Sequence, residues 1–585
     1  MAKYQKGVNR NQVQLLPASV DDYVDENNSV RVIDAFVETL DLEKMKFNKS
    51  KPKYTGRPPY DPKDLLKLYL YGYMNRIRST RPLAKQCEIN LEVIWLLGGI
   101  QPDFRTISEF RKDNKNNLKK VFHEFIKITK KWDLLSKEEM SQDGSKFQAV
   151  NAKDKNFTQA KLYDRLKRTE EEIERYLNTM DEVDETEEIK KEEVEELIKV
   201  AREKAKAYNE MLDEMEKNNE SQKSLTDPES RMMKCNGKYL VGYNVQTVVE
   251  GKNHIVVDFE VTNQVNDNGL LSEIGEKAKE QLGVRKVKHL ADGGYVNEED
   301  MKECFLNGTV PVLPKPEGGS YKMEFEYHEE EIKEERTTET YEARKKCFEA
   351  GVIPKEYEGL KMEIEEGVRK VREAEPEKIE GDLREEAVKS QTFVRDIERD
   401  IVYCPGGKIL RKKSTKSTGE TVYCNKLECQ RCPKHKECTR GKYREVSFIK
   451  GQNRVIHKGL SKKKVKRNVI PSKEEKIIIV KYVPDEEEYK RRKCLSEHPF
   501  GTVKRGMGAE YVLLKGREKV TGEMSLIWLG YNMKIAINKV GVKEMVRRLR
   551  EEMEEKGLKV VEKCVKLREI IRKLIRGEER WKQEA

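Results

Sequence analysis

Residues 238–262 read KYLVGYNVQTVV, EGKN and HIVVDFEVT, two alternating apolar and polar runs joined by a short polar turn. That alternation dictates a β-hairpin, and its flanks dictate the sheet it joins. Before it, EMSQDGSKFQAV (139–150) reads as a short strand carrying Asp143. After it, residues 270–282 have helical spacing, and Val287–Leu290 is a buried strand running into Asp292-Gly293-Gly294. Residues 309–313 form one more strand, followed by a helix. This order of elements makes an α/β core with a mixed sheet.

The chain has 585 residues, room for several units of about 100–200 residues each. Residues 1–135 read as helical. Asp61-Pro62 opens a helix with proline in its first turn, and Leu65, Leu66, Tyr69, Leu70 and Tyr73 recur at helical spacing. Apolar segments at 83–87 and 91–97 end in Gly98-Gly99, and Thr106 with Glu109 forms a capping box for the next helix. Short helices with tight turns suit a helix-turn-helix-like unit or a plain bundle. Between 161 and 220, Leu162, Leu166, Ile173, Leu177 and Met180, then Val194, Leu197, Ala201, Ala205, Leu212 and Met215, form apolar stripes among charges. They read as an antiparallel helical hairpin, with the acidic stretch 181–187 as its turn and a spacer's role. Residues 316–400 are highly charged and expected to be mostly helical. Residues 470–545 return to ordinary globular composition, with a strand at 476–483 and helices after Asp485 and over 523–538.

Asp143 and Asp292 each lie in or just after a short apolar strand, and each is followed by glycine, which admits a close neighbour. An Asp-Gly pair alone is more often a turn. The pair gains meaning from chemistry. Cleaving a phosphodiester needs an activated water and a stabilised leaving oxygen, and two divalent ions about 3.5–4 Å apart do both. Mg²⁺ takes hard oxygen ligands, so carboxylates from neighbouring strand ends must converge. On the hairpin, Asn244 and Gln246 point to one side of the strand. With Asn263 and Asp267 beyond it, they face either this site or an ordinary polar side of the sheet, the simpler reading.

Cys424, Cys429, Cys432 and Cys438 follow one another with four, two and five residues between them, and Cys404 precedes Pro405-Gly406-Gly407. A CxxC with further cysteines nearby signals structural Zn²⁺ in a reducing compartment. Cys424, Cys429, Cys432 and Cys438 are the favoured ligands, with Cys404 and His435 as alternatives. The eleven cysteines are an odd number, which argues against a disulfide framework. No HExxH motif occurs, so a zinc hydrolase is a poor reading.

The formal charge is +11, a mild excess for this length. It gathers at 411–413, at KKKVKR (462–467) and over 556–582, and such clusters attract phosphate backbones. No run of about 18 apolar residues exists and the first residues have no apolar signal core, so neither a membrane span nor secretion is expected.

At this point the residues resemble a known family, the DDE transposases of bacterial insertion sequences, specifically the insertion sequence 1182 family. The resemblance covers nearly the whole chain. It rests on YDPKDLLKLYLYGYMNRIRSTRPLAKQ and DFRTISEFRK in the N-terminal part, and on DGSKFQA, DPESR, GYNVQTVV, VTNQVND and LADGGY in the core. Beyond these it rests on YCPGGK, the cysteine cluster, EHPFGTVKRGMG and LKGREKVTGEMSLIWLGYNM.

The resemblance implies an RNase H-like catalytic core with Asp143 and Asp292 as its first two acids. It implies Glu497, within SEHPFGTVK, as a third acid on a helix, ahead of Glu510 and Glu523. A tyrosine–arginine–glutamate–lysine signature of related transposases is similar to Tyr489, Arg492, Glu497 and Lys504, residues that would hold DNA. The Arg-to-Glu gap is four residues where the usual pattern has three, and a gap of three would land on Lys493. The implied organisation is an N-terminal helical DNA-binding domain (1–135), a core in three pieces (136–160, 223–315 and 451–545), a helical hairpin insertion (161–222), a charged insertion (316–400), a cysteine-rich zinc module (401–450) and a charged helical tail (546–585). The implied cofactors are Mg²⁺ or Mn²⁺ and structural Zn²⁺. The implied partners are double-stranded DNA, as element terminal inverted repeats and as target, and a second copy of the chain on the paired ends. The implied location is the bacterial cytoplasm at the nucleoid. The rival function is a transposase-derived DNA-binding protein that has lost catalysis.

Overall fold

A computed structural model of the chain describes residues 19–52, 58–151, 156–182, 188–217, 222–235, 237–329, 340–372, 381–416, 419–456 and 472–557. The N-terminal part is helical as expected, with α1 (Val30–Glu38), α2 (Pro62–Met74), α3 (Thr80–Ile89), α4 (Leu91–Leu96), α5 (Phe104–Asp113) and α6 (Lys115–Lys131). Asp61 caps α2, its carboxylate accepting from the Lys63 N–H, with Pro62 in the first turn. The capping box expected at Thr106 does not form. Asp103 starts α5 instead, accepting from the Arg105 and Thr106 N–H groups at 2.7 and 3.1 Å. A charged acceptor sits three residues ahead of Thr106 and claims those amides first.

The core sheet takes β1 (Glu139–Gln148), β4 (Arg231–Cys235), β5 (Lys238–Glu250), β6 (Val256–Thr262), β7 (Val287–Leu290) and β8 (Thr309–Val312), where β2 (Asn156–Thr158) and β3 (Gln222–Ser224) pair separately. The order is β4-β5-β1-β7-β8, with β6 also on β5. Strands β1, β4 and β6 pair antiparallel with β5, while β1–β7 and β7–β8 are parallel. The sheet is therefore mixed, as its element order predicts. Helices α9 (Leu271–Leu282) and α10 (Glu298–Asn307) make the crossovers. One hydrophobic core joins this sheet to the N-terminal helices, with Phe122 edge-on to Phe259 at 5.2 Å.

Between β2 and β3 stand α7 (Gln159–Glu182) and α8 (Glu188–Lys217), the expected helical hairpin. Residues 183–187 of its acidic turn lie outside the described residues. Phe157, Leu162, Leu166, Leu212 and Met215 give the hairpin a small core.

Residues 316–400 differ from the mostly helical reading. They contain β9 (Tyr321–Glu326), α11 (Tyr341–Glu349), β10 (Met362–Arg372), α12 (Leu383–Lys389) and β11 (Thr392–Asp396). Tyr321, Met323 and Phe325 are buried at alternate positions, a period of two that the intervening charges disguise. The partner of β9 and β10 is a strand far along the chain, so no local hairpin signal announces the pairing.

The cysteine-rich segment is also more ordered than a loop. Strands β11, β12 (Ile401–Tyr403), β13 (Ile409–Thr415), β14 (Thr421–Cys424), β15 (Glu445–Phe448) and β16 (Arg454–Ile456) form an antiparallel sheet in the order β15-β14-β13-β12-β11-β16. Short helices α13 (Lys426–Arg431) and α14 (His435–Cys438) sit between β14 and β15. Strand β17 (Ser472–Tyr482) then lies between β10 and β9. The chain continues through α15 (Glu486–Lys490), α16 (Arg492–Gly501), a π-helical turn (Thr502–Gly506) and α17 (Arg517–Val540), which packs on α2, α6 and β6. Residues 542–557 are helical. The basic run 462–467, Cys564 and the rest of the tail lie outside the described residues. Among the described residues no helix is long and apolar enough to cross a membrane.

Candidate active site

The parallel register between β1 and β7 pairs Ser141 with Leu290. Two residues further along each chain come Asp143 and Asp292, so the two aspartates lie level, Asp143 within β1 and Asp292 just beyond the end of β7. Asp143 Oδ1 accepts from the Gly144 N–H at 2.8 Å. Asp292 caps a 3-10 turn, with Oδ1 accepting from the Gly294 N–H at 2.8 Å. Burial pushes the Asp143 carboxyl up to about 6; the Gly144 N–H and Arg492 pull it down, and the charges of Asp292 and Asp267 push it up again.

Asp267 has a larger part than its sequence context suggests. Its Oδ1 accepts from Asn244 Nδ2 and Gln246 Nε2, both at 2.7 Å, and from Lys146 Nζ at 3.2 Å. Gln246 in turn accepts from the Tyr295 hydroxyl and, at 3.2 Å, from Gln142 Nε2. Asn244 and Gln246 are fully buried. They form a buried polar network with Asp267 rather than an open polar side of the sheet. A signal for it exists in the sequence: Asn244 and Gln246 share a face at period two, and Asp267 follows their partner strand. Lys146, Gln142 and Tyr295 escape sequence reasoning, because nothing local separates them from ordinary strand and turn residues.

Gly144 earns its place here. A Cβ at this position would lie 2.1 Å from Gln246 Nε2 and 2.7 Å from Asp267 Oδ1, and the network holds both atoms. Gly144→Ala is expected to cost about 1–3 kcal/mol as an overpacked site. A thermal melt checks this, and an unchanged melting temperature would show that the network yields freely.

Helices α15 and α16 and the π-helical turn bring the remaining predicted residues. Arg492 is buried, with Nη1 at 3.8 Å from Asp143 Oδ2 and Nη2 at 3.9 Å from Glu497 Oε1. It thus links the exposed Glu497 to the strand aspartate, whereas Lys493, the position of the usual spacing, is exposed. Lys504, on the π-helical turn, donates to Ser145 Oγ at 2.6 Å and to the Lys146 carbonyl at 2.9 Å. Burial lowers its ammonium pKa. Tyr489 packs beside Leu290, Val312 and Leu495 at the end of β7. Glu510 is exposed. Glu523 is fully buried, paired with Arg78 at 2.9 Å and accepting from the Leu513 and Leu514 N–H groups.

Among the described residues no three His, Cys, Asp or Glu side chains are drawn together tightly enough to hold a metal ion. Of the cysteines, Cys404, Cys429, Cys432 and Cys438 line one cavity together with His435, and Cys424 is not among its lining residues.

Two families match the sequence. The one described as a transposase domain (DUF772) matches residues 18–113, and the one described as a transposase DDE domain matches residues 197–533, more than half of the chain. Asp292, Arg492, Glu497 and Lys504 fall inside the second match, and Asp143 falls between the two. No curated protein and no solved structure matches the chain.

Proposed function

The chain belongs to the transposase DDE domain family, and on that premise we propose that it cuts DNA at the ends of an insertion sequence and joins the freed ends to target DNA, using divalent metal held by Asp143, Asp292 and Glu497. The observation that carries this reading is the level placement of Asp143, within β1, and Asp292, just beyond its parallel neighbour β7, with the Asp143 carboxyl raised to about 6 chiefly by burial. Carboxylate oxygens of this kind are the ligands a hard dication would take. When bound, Mg²⁺ or Mn²⁺ supplies the charge that activates an attacking water or hydroxyl and steadies the leaving oxygen.

The chain's own residues do the rest. Asp143 supplies oxygen ligands from within β1 and Asp292 from just beyond β7, and Asp267 holds Lys146, Asn244 and Gln246 in place beside them. Arg492 orients Glu497 toward Asp143 and offers a guanidinium fork to a phosphate, while Lys504 supplies a point charge. Tyr489 packs at the rim, where a DNA end would pass. The strand order β6-β5-β1-β7-β8, an antiparallel trio followed by parallel strands, supports the RNase H-like reading of the core. On the same reading the N-terminal helices bind element ends, structural Zn²⁺ belongs to the cysteine-rich module, and two copies act on paired ends. The domain boundaries given above go with it.

The test is cleavage of plasmid DNA carrying the element ends, with and without Mg²⁺ or Mn²⁺, wild type beside Glu497→Gln. Metal-dependent cutting that vanishes in the variant is the expected result. Binding without cutting by either protein would favour the non-catalytic DNA-binding reading. Cutting by both would move the third acid elsewhere.

A further inference from the structure

Resting on the reading of the cysteine-rich module as a zinc site, we propose that its ligands are the thiolates of Cys404, Cys429, Cys432 and Cys438, with Cys424 left outside. The ion would pin the turn between β12 and β13 to the segment containing α13 and α14.

Three pieces of chain carry these thiols to one place. Cys404 follows β12 and opens a tight turn, in which its N–H donates to the Lys408 carbonyl at 2.9 Å and Gly407 takes φ +69°. The Lys408 N–H returns to Cys404 Sγ at 3.4 Å, an amide aimed at the sulfur in the manner that steadies a thiolate. Cys429 lies within α13, Cys432 caps its C-terminus, and Cys438 ends α14. All four line a cavity of about 70 Å³. The thiols ring this cavity without yet meeting at metal distance, so the ion itself would draw them in as it displaces their protons to solvent.

Cys424 is placed differently. It closes β14, paired with Arg411 on one side and Glu445 on the other, and it does not line the cavity. Spacing along the chain favours it because it precedes the CxxC, whereas the sheet brings Cys404 across from β12 instead.

The module also needs a fastener. Phe393, Val402, Leu410, Tyr423, Val446 and Phe448 form one small cluster in its sheet, and Ala387, Val394, Ile401, Tyr403 and Ile409 form another, while among the described residues the α13–α14 segment adds to them only the partly buried Cys438. A small unit with so little core is commonly held by a structural metal. Four soft thiolates in a closed tetrahedral arrangement select Zn²⁺ and leave no position for a substrate. His435 is the rival ligand, since it lines the same cavity with its Nε2 buried and unpartnered.

The experiment uses the full chain purified without chelators. Elemental analysis is expected to find about one zinc per chain. Brief alkylation followed by mass mapping is expected to label Cys424 and the exposed Cys494 at once, and to label Cys404, Cys429, Cys432 and Cys438 only after a strong chelator is added. Cobalt substituted for zinc should give the absorption of a four-sulfur site, and Cys424→Ser should retain the metal. Folded protein without zinc would overturn the zinc reading itself. Zinc retained while Cys404 labels as fast as Cys424, or a cobalt spectrum showing a nitrogen ligand, would overturn this ligand set. The mapping is done on the wild-type chain, so it decides between ligand sets even where Cys404→Ser does not fold, and no readout depends on DNA cleavage.

Discussion

Asp292→Asn is expected to leave DNA binding nearly intact while reducing metal-dependent cleavage by roughly a hundred-fold to ten-thousand-fold. A catalytic metal contributes several kcal/mol of charge stabilisation, and each ~1.4 kcal/mol is tenfold in rate. The same substitution has a second, opposite signature in the metal-free protein. Burial holds the Asp143 carboxyl at about 6, and the Asp292 charge is one of the forces pushing it up. A carboxyl raised in the folded state contributes stability at pH below its unfolded value of about 3.9, and that contribution is lost as pH rises through the folded value. The wild-type chain therefore carries a penalty at neutral pH for ionising Asp143. Asp292→Asn removes one source of that penalty, so the metal-free variant should melt at a slightly higher temperature than wild type at pH 7, with the difference vanishing toward pH 4. Added Mg²⁺ should raise the wild-type melting temperature and leave the variant's unchanged. In the wild type this metal effect should fade as pH drops through about 6, because protons then compete for Asp143. A variant that still cuts at the wild-type rate, or that gains the same stability from Mg²⁺, would remove Asp292 from the site.

How much of this is legible in the sequence follows from the range of the interactions involved. Strands β1, β5, β6, β7 and β8 each carry a local period, and helices α2 and α9 each carry a start signal or an apolar stripe, so their order can be read directly. The sheet of β9, β10 and β17 cannot, because its central strand is separated from its partners by the whole cysteine-rich module. Asp143 and Asp292 announce themselves as aspartates in or just after short strands, but their level register is a property of the β1–β7 pairing. Asp267 reads in the sequence as one polar residue among several beyond the hairpin. Its importance lies in the hydrogen bonds it accepts from Asn244, Gln246 and Lys146, which link residues on two strands and a loop. The cysteines show the same limit. Linear spacing singles out Cys424, and only the antiparallel sheet reveals that Cys404 shares the cavity.

Arg78→Leu is expected to destabilise the protein by about 3–5 kcal/mol, the cost of stranding a buried charge, which in a chain this long lowers the melting temperature by roughly three to five degrees. The side chains of Arg78 and Glu523 are 6% and 0% exposed and lie 2.9 Å apart. Arg78 also donates to the Gly508 carbonyl at 2.7 Å and to the Tyr511 carbonyl. Glu523 accepts from the Leu513 and Leu514 N–H groups at 2.9 and 3.1 Å. Together they clamp the loop that follows the π-helical turn bearing Lys504. Glu523→Gln keeps the shape and loses the charge, so it should share much of the stability loss. Glu497 has the opposite profile. Its side chain is 60% exposed, and its ion pair with Arg492 is 3.9 Å long, so Glu497→Gln should leave the stability within about 0.5 kcal/mol of wild type, as for an exposed site. The two glutamates are thereby separated by one pair of measurements. Loss of cleavage without loss of stability in Glu497→Gln, beside loss of stability in Glu523→Gln, would assign the third acid to Glu497 and a structural clamp to Glu523. A stable Glu523→Gln that no longer responds to Mg²⁺ would reverse both assignments, because a carboxylate serving only the fold has no reason to report on the metal.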